Sequence, residues 1–128
     1  MTIIVVDDEP AIVRMCVQVL QAKGHTVHGY TRADEALAKL GESPANLVVV
    51  DYKMPELNGL DFVRRAWGLR PGLRVLMITA HGTREVMKQA NAAGVQTIVL
   101  KPFTPSELAD GVAAALKDRV DRPATGDA

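Results

Sequence analysis

The sequence predicts an α/β fold: a doubly wound parallel sheet of five strands separated by helices. Two observations predict it. First, short β-branched runs alternate with helical patterns from end to end, and such runs read as strands buried on both faces. Second, four of these runs end on reactive polar residues. Ile3–Val6 leads into Asp7, Asp8 and Glu9; Leu47–Val50 into Asp51; Leu73–Ile78 into Thr79; Ile98–Leu100 into Lys101 and Pro102. Ligands bind outside the carboxyl ends of strands in an open parallel sheet, so these groups are expected at one edge.

The first strand covers about residues 2–6. A first helix is expected from Pro10 to Lys23, with Ile12, Cys16 and Leu20 on one face and Val13 and Val17 beside them. Pro10 suits the first turn, where its missing N–H costs nothing, and Gly24 stops the helix. The second strand, Thr26–Tyr30, mixes in polar residues and is expected at an edge. Thr31 is expected to cap a second helix, with Asp34 in a capping-box-like position and Ala36, Leu37 and Leu40 inward. The third strand, Leu47–Val50, precedes a long loop through Pro55 to Gly59. A third helix, about Leu60–Leu69, buries Leu60, Val63 and Trp67.

The fourth strand, Leu73–Ile78, leads to a helix near Thr83–Ala93, anchored by Val86, Met87 and Ala90 and ended by Gly94. The fifth strand is Thr97–Leu100. Thr104-Pro105-Ser106-Glu107 is a full helix-start signature, and the last helix buries Leu108, Val112, Ala115 and Leu116. One domain is expected over residues 1–118. Residues 119–128 read as a flexible tail or linker. Right-handed crossovers and the flavodoxin-like order 2-1-3-4-5 put Asp7 and Asp8 beside Asp51.

The 128 residues fit one core, and 48% hydrophobic content excludes a disordered chain. Fifteen basic and 15 acidic residues cancel, so no global field gathers nucleic acid, and direct nucleic-acid binding is not expected. The single cysteine, Cys16, cannot form an internal disulfide, and it reads as a reduced core thiol. No apolar stretch spans a bilayer, and the first run is too short for a secretory signal, so a cytoplasmic setting is expected.

Three carboxylates in one crevice raise one another's pKa values, and a hard divalent cation removes that cost. Asp8 and Asp51 are the expected Mg²⁺ ligands. Asp7 orders a bound water or acts from behind them, and the Lys53 carbonyl is a further candidate ligand that the residues alone do not assign. Asp51 also suits a nucleophile, since carboxylates form aspartyl-phosphate intermediates. Thr79 offers a hydroxyl, Lys101 a point charge, and Ala80 a peptide N–H beside a small side chain. Each has an ordinary reading alone: a helix cap for the Asp pair, a strand former for Thr79, a solvated charge for Lys101. Their joint placement at four strand ends favours the chemical reading.

These residues resemble the receiver domain of bacterial two-component response regulators. The matching pieces are VVDDEP at 5–10, VVVDYKMPELNG at 48–59, MITAHG at 77–82 and LKPF at 100–103. The resemblance spans about Ile3 to Lys117. It implies a signalling domain that assists its own phosphorylation and dephosphorylation, not a conventional enzyme. Asp51 would accept phosphate from a sensor histidine kinase or a histidine phosphotransfer protein. Asp7, Asp8 and the Lys53 carbonyl would organise Mg²⁺. Thr79 would be the switch hydroxyl, Lys101 would bond a phosphoryl oxygen, and the Lys101–Pro102 peptide would be cis.

The family often has Tyr or Phe three residues before the lysine; here that switch position is Ile98. Lys53 and His81 are expected to flank the route of attacking water and to tune phosphoryl lifetime; an exposed loop histidine is the competing reading of His81. The expected readout is the surface of the fourth helix, fifth strand and fifth helix, met by a downstream protein, a fused output domain or a second copy. The kinase is expected over the first helix and the loop Pro102–Thr104. A haloacid-dehalogenase-like hydrolase would need a second acid where Lys53 stands. An FMN-binding carrier would have its phosphate repelled by Asp7-Asp8-Glu9. A pseudo-receiver, an interaction module that takes no phosphate, remains the alternative because of Ile98.

Overall fold

Strand and helix alternate throughout the computed structural model, which describes residues 1–117. In chain order they are β1 (Thr2–Val6), α1 (Pro10–Ala22), β2 (Thr26–Tyr30), α2 (Ala33–Glu42), β3 (Leu47–Asp51), α3 (Gly59–Leu69), β4 (Arg74–Thr79), α4 (Arg84–Ala93), β5 (Thr97–Leu100) and α5 (Pro105–Lys117). The sheet order is β2-β1-β3-β4-β5, and every ladder is parallel. The expected doubly wound fold is therefore present, with β2 at an edge. The tail expected over residues 119–128 lies outside the described residues.

The strand pleat divides the core in two. Ile4, Val6, Val48, Val50 and Met77 face α2, α3 and α4, where they meet Leu40, Phe62, Val63 and Ala90. Ile3, Val5, Val49, Leu76 and Ile78 face α1 and α5, where they meet Cys16, Leu20, Leu108 and Val112. Strands covered on both sides must be apolar at every position, which is why the runs carry no alternation. β3 is buried along its whole length, Asp51 included.

Local chemistry sets most helix ends. Thr104 and Glu107 form the expected reciprocal cap: the Thr104 N–H donates to Glu107 Oε1 at 2.8 Å and the Glu107 N–H to Thr104 Oγ1 at 3.1 Å. Thr83 caps α4 through its hydroxyl, and Gly94 ends that helix at φ 103°, a left-handed conformation that costs glycine little. Asn58 caps α3 by accepting the Asp61 N–H.

Thr31 does not cap α2. That helix begins one residue later, with Arg32 at the cap position and no side-chain cap of its own. Asp34 turns to Arg32 and the Glu35 N–H instead, while the Ala33 N–H donates to Glu56 Oε1 at 3.3 Å. A tertiary partner from the loop after β3 thus replaces the local one. The buried stripe of α1 runs through Val13, Cys16 and Leu20, with Ile12 half-buried at its side. Trp67 and Met87 are also only half-buried. The Trp67 indole N–H donates to the Leu73 carbonyl at 2.8 Å, which holds the ring at the rim. Phe62 fills the place in the core instead, fully buried.

Candidate functional site

Strand register gathers the polar residues that follow the apolar runs. Val6 pairs with Val50, Asp51 with Ile78, and Thr79 with Leu100, so residues 7, 51, 79 and 101 share one edge. Asp7, Asp51 and Thr79 are buried, at 0%, 5% and 1% exposure, although burying such groups is costly without partners. Asp8 stays exposed at the rim. Carboxylate oxygens of Asp7, Asp8 and Asp51 lie within 4.8 Å of one another.

Lys101 holds this cluster together. Its ammonium lies 2.9 Å from Asp7 Oδ2, 2.8 Å from Glu9 Oε1 and 3.5 Å from Asp51 Oδ1. Its backbone N–H donates to the Thr79 carbonyl at 2.8 Å, and its peptide to Pro102 is cis. Asp7 Oδ1 accepts the Glu9 N–H at 2.9 Å. Asp7 Oδ2, fully enclosed, faces the ammonium as an ion pair without an aligned hydrogen bond. The sequence places Glu9 beside Asp8, but its reach to Lys101 across 92 residues follows only from the fold.

The electrostatics follow from this geometry. Burial, and then the nearby charge of Asp7, push the Asp51 carboxyl up to about 6. Burial also raises Asp7, against the pull of the Glu9 N–H and of Lys101. For Lys101 burial favours the neutral amine, but the hydrogen bond to Glu9 and the adjacent Asp7 carboxylate outweigh it and the ammonium is held above its usual range.

A cleft of about 580 Å³ opens over the cluster. Asp8, Glu9, Asp51 and Lys101 supply its charges, and Lys53, Ala80 and His81 line it as well. Thr79 lies buried beside it, and its Oγ1 accepts the His81 N–H at 2.9 Å. Ile98 stands apart from the cleft, half-buried against the core layer shared by α3 and α4. The donor set is all oxygen, the choice of a hard divalent cation such as Mg²⁺ rather than of a thiolate- or imidazole-seeking metal.

A family model described as "Response regulator receiver domain" matches residues 3–113. Chemotaxis protein CheY of Thermotoga maritima is 28% identical over 111 residues, 86% of this chain and 92% of that protein. The DNA-binding response regulator MtrA of Mycolicibacterium smegmatis is 33% identical over 122 residues, 95% of this chain but 53% of that protein. The chain spans only 26% of the C4-dicarboxylate transport transcriptional regulatory protein DctD of Rhizobium meliloti, at 30% identity. A CheY-like receiver domain structure from Methanospirillum hungatei superposes with a TM-score of 0.84 at 31% identity, covering 90% of this chain and 92% of that one.

Proposed function

Because the chain belongs to the response regulator receiver domain family, we propose that it is a Mg²⁺-dependent phospho-acceptor in which Asp51 is the acceptor. The observation that carries this is the Asp51 carboxylate itself. It is buried, grouped with Asp7 and Asp8, and 3.5 Å from the Lys101 ammonium. At neutral pH it is mostly ionised, since its pKa is about 6, and so it is a nucleophile.

In the proposed step an Asp51 oxygen attacks the phosphorus of a phosphohistidine. The new P–O bond forms as the P–N bond breaks, and the leaving imidazole keeps the electron pair and takes up a proton. Asp8, Asp51 and the Lys53 carbonyl, with Asp7 behind them, would hold Mg²⁺, which when bound would supply positive charge against the incoming phosphoryl group. Lys101 meets another phosphoryl oxygen and leaves part of its contact with Glu9. The Thr79 hydroxyl and the Ala80 N–H serve as further donors. Lys53 and His81, in the same cleft, set the access of water and so the lifetime of the phosphoryl group.

The output follows as a shift between two conformations of the α4, β5 and α5 surface, through which a downstream protein, a fused output domain or a second copy is engaged. The donor is a sensor histidine kinase or a histidine phosphotransfer protein, docking over α1 and the loop at Pro102–Thr104, in a cytoplasmic setting. No helix among the described residues is long and apolar enough to cross a membrane.

The test is incubation with Mg²⁺ and acetyl phosphate or beryllofluoride, read by intact mass and amide NMR. A Mg²⁺-dependent adduct that Asp51→Asn abolishes is the expected result. No change, or a change that survives Asp51→Asn, overturns the proposal and leaves the phosphorylation-independent module.

A further inference from the structure

The residue next to Asp51 is Tyr52, and its phenol donates to Gln89 Oε1 on α4 at 3.1 Å. The Gln89 amide is itself oriented, because its NH₂ donates to Glu85 Oε1, one turn earlier, at 3.1 Å. That bond leaves Oε1 free for the phenol.

Tyr52 is also anchored in its backbone. Its N–H donates to the Ile78 carbonyl at 2.8 Å, and its carbonyl accepts the Gly59 N–H at 2.6 Å. The strand end thus binds it to β4 on one side and to the start of α3 on the other. Its ring packs half-buried against the core layer that also receives Ile98. The Tyr52 backbone therefore stays with β3 and β4 if α4 moves. By contrast α4 is lightly held, with only Val86 and Ala90 buried. Its first turn hangs from the short loop whose His81 N–H is bonded to Thr79 Oγ1. Drawing Thr79 toward a phosphoryl group on Asp51 pulls on that loop.

We propose that Tyr52 is a positioning residue whose phenol latches α4 through Gln89, so that the side chain next to the acceptor ties α4 to the site. The inference rests on Asp51 being the phospho-acceptor. With the latch closed α4 is restrained, and a ligand that draws the loop inward must break or stretch it. Removing the latch therefore raises the fraction of chains ready for the liganded arrangement.

The experiment compares the full chain with Tyr52→Phe, which keeps the ring, with Gln89→Ala, and with the double variant. Hydrogen exchange of the α4 amides is measured without ligand. Beryllofluoride, standing in for the phosphoryl group, is then titrated in Mg²⁺ by NMR. Each single variant is expected to speed α4 exchange about three-fold and to tighten beryllofluoride about three-fold, the worth of one solvent-facing hydrogen bond. The double variant is expected to do no more than either single one. Unchanged exchange, or additive effects, overturns the latch. Faster exchange with unchanged or weaker beryllofluoride binding overturns its coupling to the site. If beryllofluoride moves no signal at Asp51 in any chain, the phospho-acceptor reading fails instead, and the ligand-free exchange still decides the latch.

Discussion

The Lys101 ammonium stands 2.9 Å from Asp7 Oδ2, tying the chain beyond β5 to the chain beyond β1 across the sheet edge. Asp7 is fully buried and the Lys101 side chain only 11% exposed, so neither charge is relieved by water. Lys101→Met strands the Asp7 carboxylate, and the expected loss is about 3 kcal/mol of unfolding free energy without metal. A bound divalent cation supplies the missing charge. Urea unfolding with and without Mg²⁺ is expected to show a clearly smaller loss when Mg²⁺ is present. An equal loss in both conditions would count against a metal at these carboxylates.

Asp51 makes stability depend on pH. Its carboxyl titrates near 6 in the fold against an ordinary value of 3.8. Between those values the folded chain holds more protons than the unfolded one, so stability falls as pH rises through this window. The contribution of protonated Asp51 is complete below about 3.8 and gone above about 6. Asp51→Asn removes this group's share of the dependence and leaves that of Asp7, whose carboxyl is also raised by burial. Without metal it is expected to stabilise the protein by on the order of 2–3 kcal/mol at pH 7.5, and by much less at pH 4.5. Paired urea titrations at the two pH values in chelator check this. A gain that is the same at both would show that Asp51 is not the group responsible.

Gly59 lies against the backbone of the site. A Cβ there would sit 2.5 Å from the Asp51 carbonyl oxygen and 2.8 Å from Tyr52 Cα, so backbone must move. Gly59→Ala is expected to cost about 1–3 kcal/mol and to weaken Mg²⁺ binding, because the Asp51–Tyr52 segment is displaced. Gly41, on α2, has nothing within 4 Å of the same atom. Gly41→Ala is therefore expected to stabilise by about 0.5–1 kcal/mol and leave Mg²⁺ binding alone. Chemical unfolding and NMR titration with Mg²⁺ on the two variants distinguish the positions.

The reciprocal cap on α5 is separable from the site chemistry. Thr104→Ala removes the acceptor for the Glu107 N–H and is expected to cost about 1 kcal/mol. Glu107→Ala removes the acceptor for the Thr104 N–H and is expected to cost a similar amount. The double variant is expected to lose less than the sum, since each bond helps hold the other partner. Urea midpoints of the three variants supply the cycle.

Much of this architecture can be read along the chain because burial on both faces demands unbroken apolar runs. Thr2–Val6 is a strand with the bounds that its residues imply, and the run Leu47–Val50 lies within β3, buried at every position. The carboxylates and Lys101 converge because strand register alone decides it. What escaped depends on partners far off in sequence. Arg32, not Thr31, takes the cap position of α2, and Glu56 answers the Ala33 N–H from 23 residues away. Phe62 rather than Trp67 fills the core, since the indole N–H seeks a carbonyl at the rim. The contact of Tyr52 with Gln89 spans 37 residues and two side chains that are individually unremarkable. Helical periodicity places a stripe within a turn or so, which is why Val13 rather than Ile12 lies at the centre of the α1 face.

The sheet order has a consequence for a chain still being made. Asp7 and Asp8, just after β1, and Asp51, at the end of the neighbouring β3, are synthesised first, while their counter-charge sits beyond the last strand of the sheet. A nascent chain that stops short of Lys101 carries crowded acids with no ammonium among them. Such a fragment has the acceptor but neither the cation contact nor the α5 residues Leu108, Val112 and Ala115 that cover this side of the sheet. The pocket closes electrostatically only when β5 joins β4, so competence of the site reports that the whole sheet has been completed.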